Sequence, residues 1–252
     1  MKNQIQFILA TLLCFVSLDS VRGANIVIMI GEDEYKTWTT LPDFAEKDLK
    51  PLGHHVTIIH ADTDDKNHFP GLVEALQDAD LLLLSVRRRT PRKEQLEAVR
   101  TFLDSGKSLV GIRTASHAFA LRPKETLTDS NLAVWPEFDH VVLGGNYTGH
   151  FGKDGATISY ALGAGSHPIL AGVAVEKMIG QGGLYKNEPL QATATPLLIG
   201  TIANEPSQPV AWLHRYGPKK AKVFYTSLGH WEDFTDISFR RLLLNAIEWG
   251  AS

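Results

Sequence analysis

Three histidines sit in turns built from small residues: His117 in "RTASHAF", His150 in "YTGHFG" and His230 in "SLGHWE". Imidazole takes or gives a proton near neutrality and binds divalent metals, and small neighbours let the backbone come close to a bound group. As a set, the three rings are candidates for an acid–base pair. They are equally candidates for the nitrogens of a divalent site such as zinc, which would keep a position open for water or substrate. Each has an ordinary reading as well, a loop histidine bonded to nearby backbone. Arg113 opens the first turn, and its planar, permanently charged guanidinium suits a carbonyl or hydroxyl oxygen. Thr114 and Ser116 follow it, and they become nucleophiles only with a histidine in reach. A second cluster, "GEDEY", places Glu32, Asp33 and Glu34 beside Tyr35. Carboxylates there could orient a histidine, hold a sugar hydroxyl or ligate a cation, or could pair with Arg113. Tyr35 and Trp38, with Trp231 next to His230, offer aromatic faces of the kind that suit sugar rings.

Residues so far apart in the chain need a scaffold that gathers them. From Asn25 the sequence alternates apolar runs with amphipathic ones: "NIVIMI", a helix near Pro42–Leu52, "HVTIIH", a helix near Gly71–Ala79, "DLLLLSV", a helix near Pro91–Ser105, then "SLVGI". Strands that read as unbroken Val, Ile and Leu are covered on both faces, which predicts a doubly wound α/β fold, flavodoxin-like, around a mainly parallel sheet. The expected core includes Ile26, Ile28, Ile58, Leu82, Leu84, Leu109, Val223 and Tyr225. Past Ala118 a long Gly-, Pro- and aromatic-rich region precedes "ATISYA", "TPLLIGTI", "PVAWLHRY" and "KVFYTSLG". These closely spaced runs predict late antiparallel strands that extend the sheet or form a small side layer. A closing helix over Phe239–Glu248 carries an apolar stripe. In such sheets, ligands meet the loops that leave the carboxyl ends of the strands, which singles out "GEDEY", "RTASH" and "LGHW".

Composition narrows the classes. The chain has 252 residues, a formal charge of -3 and one cysteine, Cys14. Residues 1–23 carry Lys2, an apolar run from Ile5 to Leu18, and small residues at Val21 and Gly23, the pattern of a signal peptide cleaved near Gly23. The run falls short of the roughly 20 residues that a membrane span needs. The expectation is therefore a single domain over 24–252, exported to the periplasm or beyond, with no membrane contact after cleavage. Loss of Lys2, Arg22 and Asp19 moves the charge from -3 to -4, and loss of Cys14 leaves no thiol for a nucleophile, a disulfide or a thiolate metal site. Nucleic acid is a poor partner for so acidic a chain. The one basic run, "RRRTPRK" at 87–93, reads as a solvated loop entering a helix.

Taken in order, "GIRTASHAF", "LGGNYTGHFG", "HPILAG" and the closing "PVAWLHRYGPKKAKVFYTSLGHWEDFTDISFRRLLLNAIEWG" resemble the ThuA-like, or trehalose-utilisation, family over nearly all of 24–252. The resemblance implies a fold like that of class I glutamine amidotransferases, whose strand-to-turn segment normally reads Gly-x-Cys-x-Gly. Here "GIRTA" sets Arg113 where the cysteine would stand, so the turn is kept and thiol chemistry is not. The family's motif histidines fall on His117, His150 and His230. Its frequent Asp-Glu-x-Tyr segment corresponds to "GQGGLYKNEPL", which keeps Tyr185 and loses the acids. The implied activity lies in sugar catabolism, with a small carbohydrate as partner. The expectation is cleavage of the glycosidic bond of an oxidised, 3-keto sugar by histidine acid and base groups. The alternative is a non-catalytic carbohydrate-binding protein on the same fold.

Overall fold

A computed structural model describes residues 23–127, 129–152 and 155–252. The signal-peptide reading falls on residues 1–22 and Cys14, outside the described residues. Four strands and three helices alternate first: β1 (Asn25–Gly31), α1 (Thr37–Phe44), β2 (His55–His60), α2 (Leu72–Gln77), β3 (Leu81–Val86), α3 (Lys93–Asp104) and β4 (Ser108–Ile112). There follow β5 (Gly149–Phe151), β6 (Ala156–Tyr160), β7 (Ile179–Gly180), β8 (Leu184–Lys186), β9 (Thr195–Thr201), β10 (Gln208–Tyr216), β11 (Ala221–Thr226) and α4 (Ile237–Ala251). One sheet has the order β2-β1-β3-β4-β11-β10-β9-β6-β7, and β5 pairs with β8 in a two-stranded side ribbon.

The alternation of side chains along the central strands explains why they read as continuous apolar runs. Ile26, Ile28, Leu81, Leu83, Val110 and Phe224 face one side, against Leu41 and Phe44 of α1 and Phe239, Leu242, Leu243 and Ile247 of α4. Val27, Met29, Leu82, Leu84, Leu109, Val223 and Tyr225 face the other, against Leu72 and Leu76 of α2 and Val99 and Leu103 of α3. Each fully buried Leu, Ile or Phe contributes roughly 1.5–3 kcal/mol, so α4 alone anchors the first layer firmly. Its start is fixed by the Asp236 side chain, which accepts from the N–H of Ser238 at 2.8 Å.

Three details differ from the sequence reading. Ile58 is only half-buried, because β2 is an edge strand paired on one side alone, and of its six residues only Ile59 is buried. The first helix begins at Thr37, not near Pro42. Glu32 accepts from the N–H of Thr37 at 2.7 Å and so starts the helix before Pro42, which lies inside it. Finally, β11 is antiparallel to β10 but parallel to β4. That pairing puts the carboxyl ends of β1, β3, β4 and β11 on one edge of the sheet. Among the described residues no helix is long and apolar enough to cross a membrane.

Candidate functional site

Four loops leave that edge. After β4 the chain turns through a tight helical turn, Arg113–His117, every residue of which is buried. Arg113 sits at φ 42, in the left-handed region that a side chain of its size rarely adopts. A strained residue of this kind costs on the order of 1–3 kcal/mol and persists only where its surroundings hold it. Here the Tyr225 hydroxyl donates to the carbonyl of Arg113 at 2.6 Å, and Arg113 Nη1 donates to the carbonyl of Ser227 at 2.9 Å. The guanidinium lies over two rings, 4.3 Å from the centroid of Tyr35 and 4.9 Å from that of Tyr185. Its Nε has no partner among the described residues, and no carboxylate stands at ion-pair distance from it. The alternative of an ion pair with Glu32, Asp33 or Glu34 is therefore not realised. Burial disfavours its charge, but Tyr185, Tyr35 and Asp233 more than offset this and raise its pKa above the usual arginine value.

His117 ends the same turn. Its ring stacks on Tyr147 with centroids 4.5 Å apart and lies 6.1 Å from Tyr185. Desolvation, with the positive field of Arg88, Arg87, Arg113 and Arg122, pushes its pKa down to about 3, so the ring is neutral. Ser116 Oγ stands 3.4 Å from the carbonyl of Arg113 and 3.1 Å from His117 Nδ1. A hydroxyl that donates to the carbonyl accepts from Nδ1–H, the tautomer that leaves the lone pair on Nε2. Thr114 is buried, with its hydroxyl unpartnered among the described residues.

The loop after β11 supplies His230, which meets Tyr35 edge-on at 5.7 Å and Trp231 at 5.5 Å. Burial, and then Arg113, lower its pKa. Its Nδ1 stands 3.4 Å from both the N–H and the carboxylate of Glu232. Asp233, which sequence reasoning missed, fixes this loop. One oxygen accepts from the N–H of Gly229 at 2.7 Å and of His230 at 2.9 Å, and the other from the N–H of Gln181 at 2.8 Å. The loop before β8 is thus tied to the loop after β11. A carboxylate three residues beyond the histidine is the local signal that could have found it.

Gly182 belongs to that tied segment. At φ 73, a Cβ there would collide with Arg113 Nη2 and stand 3.5 Å from His230 Cδ2. A Cβ on Gly183 would lie 2.9 Å from His150 Nδ1. The glycine pair therefore has Arg113 and His230 packed on one member and His150 on the other. Tyr147, the second residue missed, is placed by Asp139, whose Oδ2 accepts its N–H at 2.6 Å.

Of the residues singled out from sequence, His117, Tyr185, Arg113, Tyr35 and His230 thus form a continuous run, with Ser116 and Thr114 buried behind it and Trp231 exposed at one end. Glu32 does not present a carboxylate to this space. Both of its oxygens are used inside its own loop, accepting from the N–H groups of Glu34 (2.6 Å), Tyr35 (2.5 Å) and Thr37 and from the Thr37 hydroxyl (2.6 Å). Asp33 is exposed and paired with Arg89 at 2.5 Å and Lys66 at 3.3 Å. His150 is exposed on β5 and donates from Nδ1 to the carbonyl of Gly152 at 3.1 Å. Among the described residues no group of three His, Cys, Asp or Glu side chains is arranged to hold an ion.

The family model described as ThuA, trehalose utilisation, matches residues 44–250. The chain belongs to the ThuA family. A ThuA-like protein from Parabacteroides merdae has a similar structure, with a TM-score of 0.63 at 15% identity over 92% of this chain and 91% of that one. The mmIFT52 N-terminal domain follows with 0.56 at 13% identity, covering 90% and 97%. A β-galactosidase from Bacillus circulans sp. alkalophilus gives 0.55 at 14% identity, over 92% of this chain but 32% of the other. Identities this low establish the shared fold and nothing about chemistry. No curated protein matches the sequence. Family membership gives the ThuA chain a role in sugar utilisation.

Proposed function

We propose that the chain cleaves the glycosidic bond of a 3-keto sugar by elimination, with His117 as base. The observation that carries this reading is the pair formed on the turn after β4: a buried, neutral imidazole whose Nδ1 lies 3.1 Å from Ser116 Oγ, beside a buried guanidinium with its Nε unpartnered and no carboxylate at ion-pair distance among the described residues. A 3-keto group makes the C2 proton acidic. His117 Nε2 takes that proton, and the electron pair moves onto the ketone oxygen as an enolate. Arg113 holds the enolate oxygen together with the Tyr185 hydroxyl, which burial keeps protonated by raising its pKa well above 10. The enolate then collapses and expels the C1 oxygen of the departing group, which takes its proton from the imidazolium form of His230, and the water that adds at C1 returns a proton to that ring. Water added across the resulting double bond completes hydrolysis. The scheme needs none of the paired carboxylates of ordinary glycosidases. Tyr35, Tyr147 and Trp231 supply aromatic surface for the ring.

The test is incubation of the purified chain with 3-keto-trehalose and with trehalose in deuterated buffer. Release of the free sugar and deuterium at C2 from the keto compound alone is the expected result, and it should be lost in His117→Gln. No exchange and no release from any 3-keto disaccharide would overturn it. The aromatic run favours one other reading, a carbohydrate-binding protein without turnover, which predicts sugar binding that survives His117→Gln. We further propose export by cleavage after Gly23. Its support is the sequence pattern of residues 1–23, and mass spectrometry of the mature chain tests it.

A further inference from the structure

The arginine run 87–89 reads from sequence as a solvated loop, yet it leaves the carboxyl end of β3 on the edge that carries the site. With Arg122, Asp33 and Glu34 it walls a cleft of about 370 Å³ in which every lining side chain is charged. Two of the four guanidiniums are matched inside the wall: Arg87 Nε lies 2.8 Å from Glu34, and Arg89 lies 2.5 Å from Asp33. Arg122 is exposed and stands 3.3 Å from Glu125, its neighbour three residues on. Arg88 differs from all of these. Half-buried and at φ 49, it has no carboxylate at ion-pair distance among the described residues, and its Nη1 donates to the carbonyls of Leu121 at 3.0 Å and Ala120 at 3.5 Å. Its N–H donates to the carbonyl of His117 at 3.0 Å, which ties it to the proposed base.

Four cations thus meet two anions in the wall and a third, Glu125, beside Arg122, which leaves Arg88 as the cation of the set with no carboxylate at ion-pair distance among the described residues. Holding like charges together around a cleft costs free energy unless an anion completes the set. We propose that this cleft receives an anionic group carried by the sugar, a carboxylate or a phosphate, and that Arg88 and Arg122 are the side chains that bind it. The proposal rests on the reading of the chain as a sugar-processing protein and names the class of sugar. It also bears on the base. The cations Arg88, Arg87 and Arg122 are among the groups that hold His117 in its neutral, weakly basic form. An anion docked between them offsets that field and makes the imidazole a stronger base when substrate is present.

Calorimetry on the purified full chain tests this with glucose, glucuronate, glucose 6-phosphate and inorganic phosphate, each at low and at high salt. Charge-assisted hydrogen bonds of about 1.5–3 kcal/mol predict an acidic sugar bound about tenfold to a hundredfold more tightly than glucose. The preference should shrink in high salt. Which of the two acidic sugars wins tells carboxylate from phosphate. Arg88→Gln should remove the preference. Arg122→Gln, at an exposed position where folding is not at risk, should reduce it several-fold, and Arg215→Gln on β10 should leave it intact. Equal binding of glucose, or a preference unchanged in both variants, overturns the proposal. So does inorganic phosphate that binds as tightly as the sugar phosphate, since the sugar would then contribute nothing. The enzyme reading fails separately. Acidic sugars that bind through Arg88 while no oxidised sugar is turned over would sink elimination and leave this site standing. Turnover of a neutral 3-keto disaccharide with no preference for an acidic sugar over a neutral one would do the reverse.

Discussion

The neutral state of His117 makes a stability prediction that needs no substrate. In the unfolded chain its imidazole titrates near the ordinary histidine value of 6.5, and in the fold burial and four arginines push it down to about 3. Between those values the unfolded state binds the extra proton, so the contribution of His117 to stability is intact above about pH 6.5 and is lost as the pH falls toward about 3. The ratio of binding polynomials gives a loss of about 2 kcal/mol at about pH 5 and about 0.1 kcal/mol at about pH 7.5. Asp139 works in the opposite direction. Its carboxyl, raised by burial to about 6, holds a proton more tightly in the fold, so it adds about 1.4 kcal/mol between the same two conditions. The native protein alone therefore shows only a partial effect, and a difference measurement is needed. Urea denaturation of the native chain and of His117→Gln at both pH values cancels Asp139, because it is present in both. Loss of the Tyr147 stack and the Ser116 contact penalises the variant equally at each pH. The native advantage should accordingly be smaller by about 2 kcal/mol at about pH 5. A native advantage that is the same at both pH values would mean that His117 titrates as an ordinary exposed histidine, and the assignment of a buried neutral base would fail with it.

Three further outcomes follow from the same geometry. Asp233→Ala leaves the N–H groups of Gln181, Gly229 and His230 without their acceptor, and should cost about 2–4 kcal/mol by thermal or denaturant unfolding, with hydrogen exchange rising first in the two loops it joins. Gly182→Ala places a Cβ against Arg113 Nη2 at a left-handed backbone position. A cost of about 1–2 kcal/mol with a displaced guanidinium in a crystal structure is expected, and sugar binding should weaken while β1 to β4 stay unchanged. Glu32→Ala removes the acceptor of three backbone N–H groups and one hydroxyl, so it should lower stability by about 2–3 kcal/mol and fray the start of α1, whereas an effect confined to sugar binding would restore it to the substrate-facing set.

The layered fold was legible because both faces of the central strands are covered, so that "NIVIMI" and "DLLLLSV" could read as buried without reference to a partner. The direction of β11 was not. Short turns between β9, β10 and β11 announce antiparallel neighbours, and nothing local says that the far side of β11 meets β4 in parallel. That single pairing carries the His230 loop to the edge where the Arg113 turn already stands. His117, His230 and Arg113 were visible as residue types in tight turns and through the family motifs. Tyr147 and Asp233 were not, because their roles arise where separate loops meet. His150 shares the small-residue setting of the other two but lies exposed on a ribbon strand, with its Nδ1 on the carbonyl of Gly152.

The arginine run leaves the same edge of the sheet as the loops that hold the site. Loops at the carboxyl ends of parallel strands gather ligands, and that rule selected the segments after the first, fourth and last strands. The segment after β3 qualifies on the same ground, but a run of like charges reads more readily as a solvated surface. Geometry separates the two readings through pairing. A solvated charge needs no partner, whereas Arg88 is half-buried, strained and bonded only to carbonyls. Arg113 repeats the pattern deeper in the site, a cation among aromatic rings with one nitrogen unpartnered. Two guanidiniums with no carboxylate at ion-pair distance among the described residues, on consecutive loops and flanking a histidine that is neutral until it accepts a proton, make this edge of the sheet favourable to negative charge. One of them stands where such charge would develop on an enolate oxygen, and the other where it would arrive on the substrate.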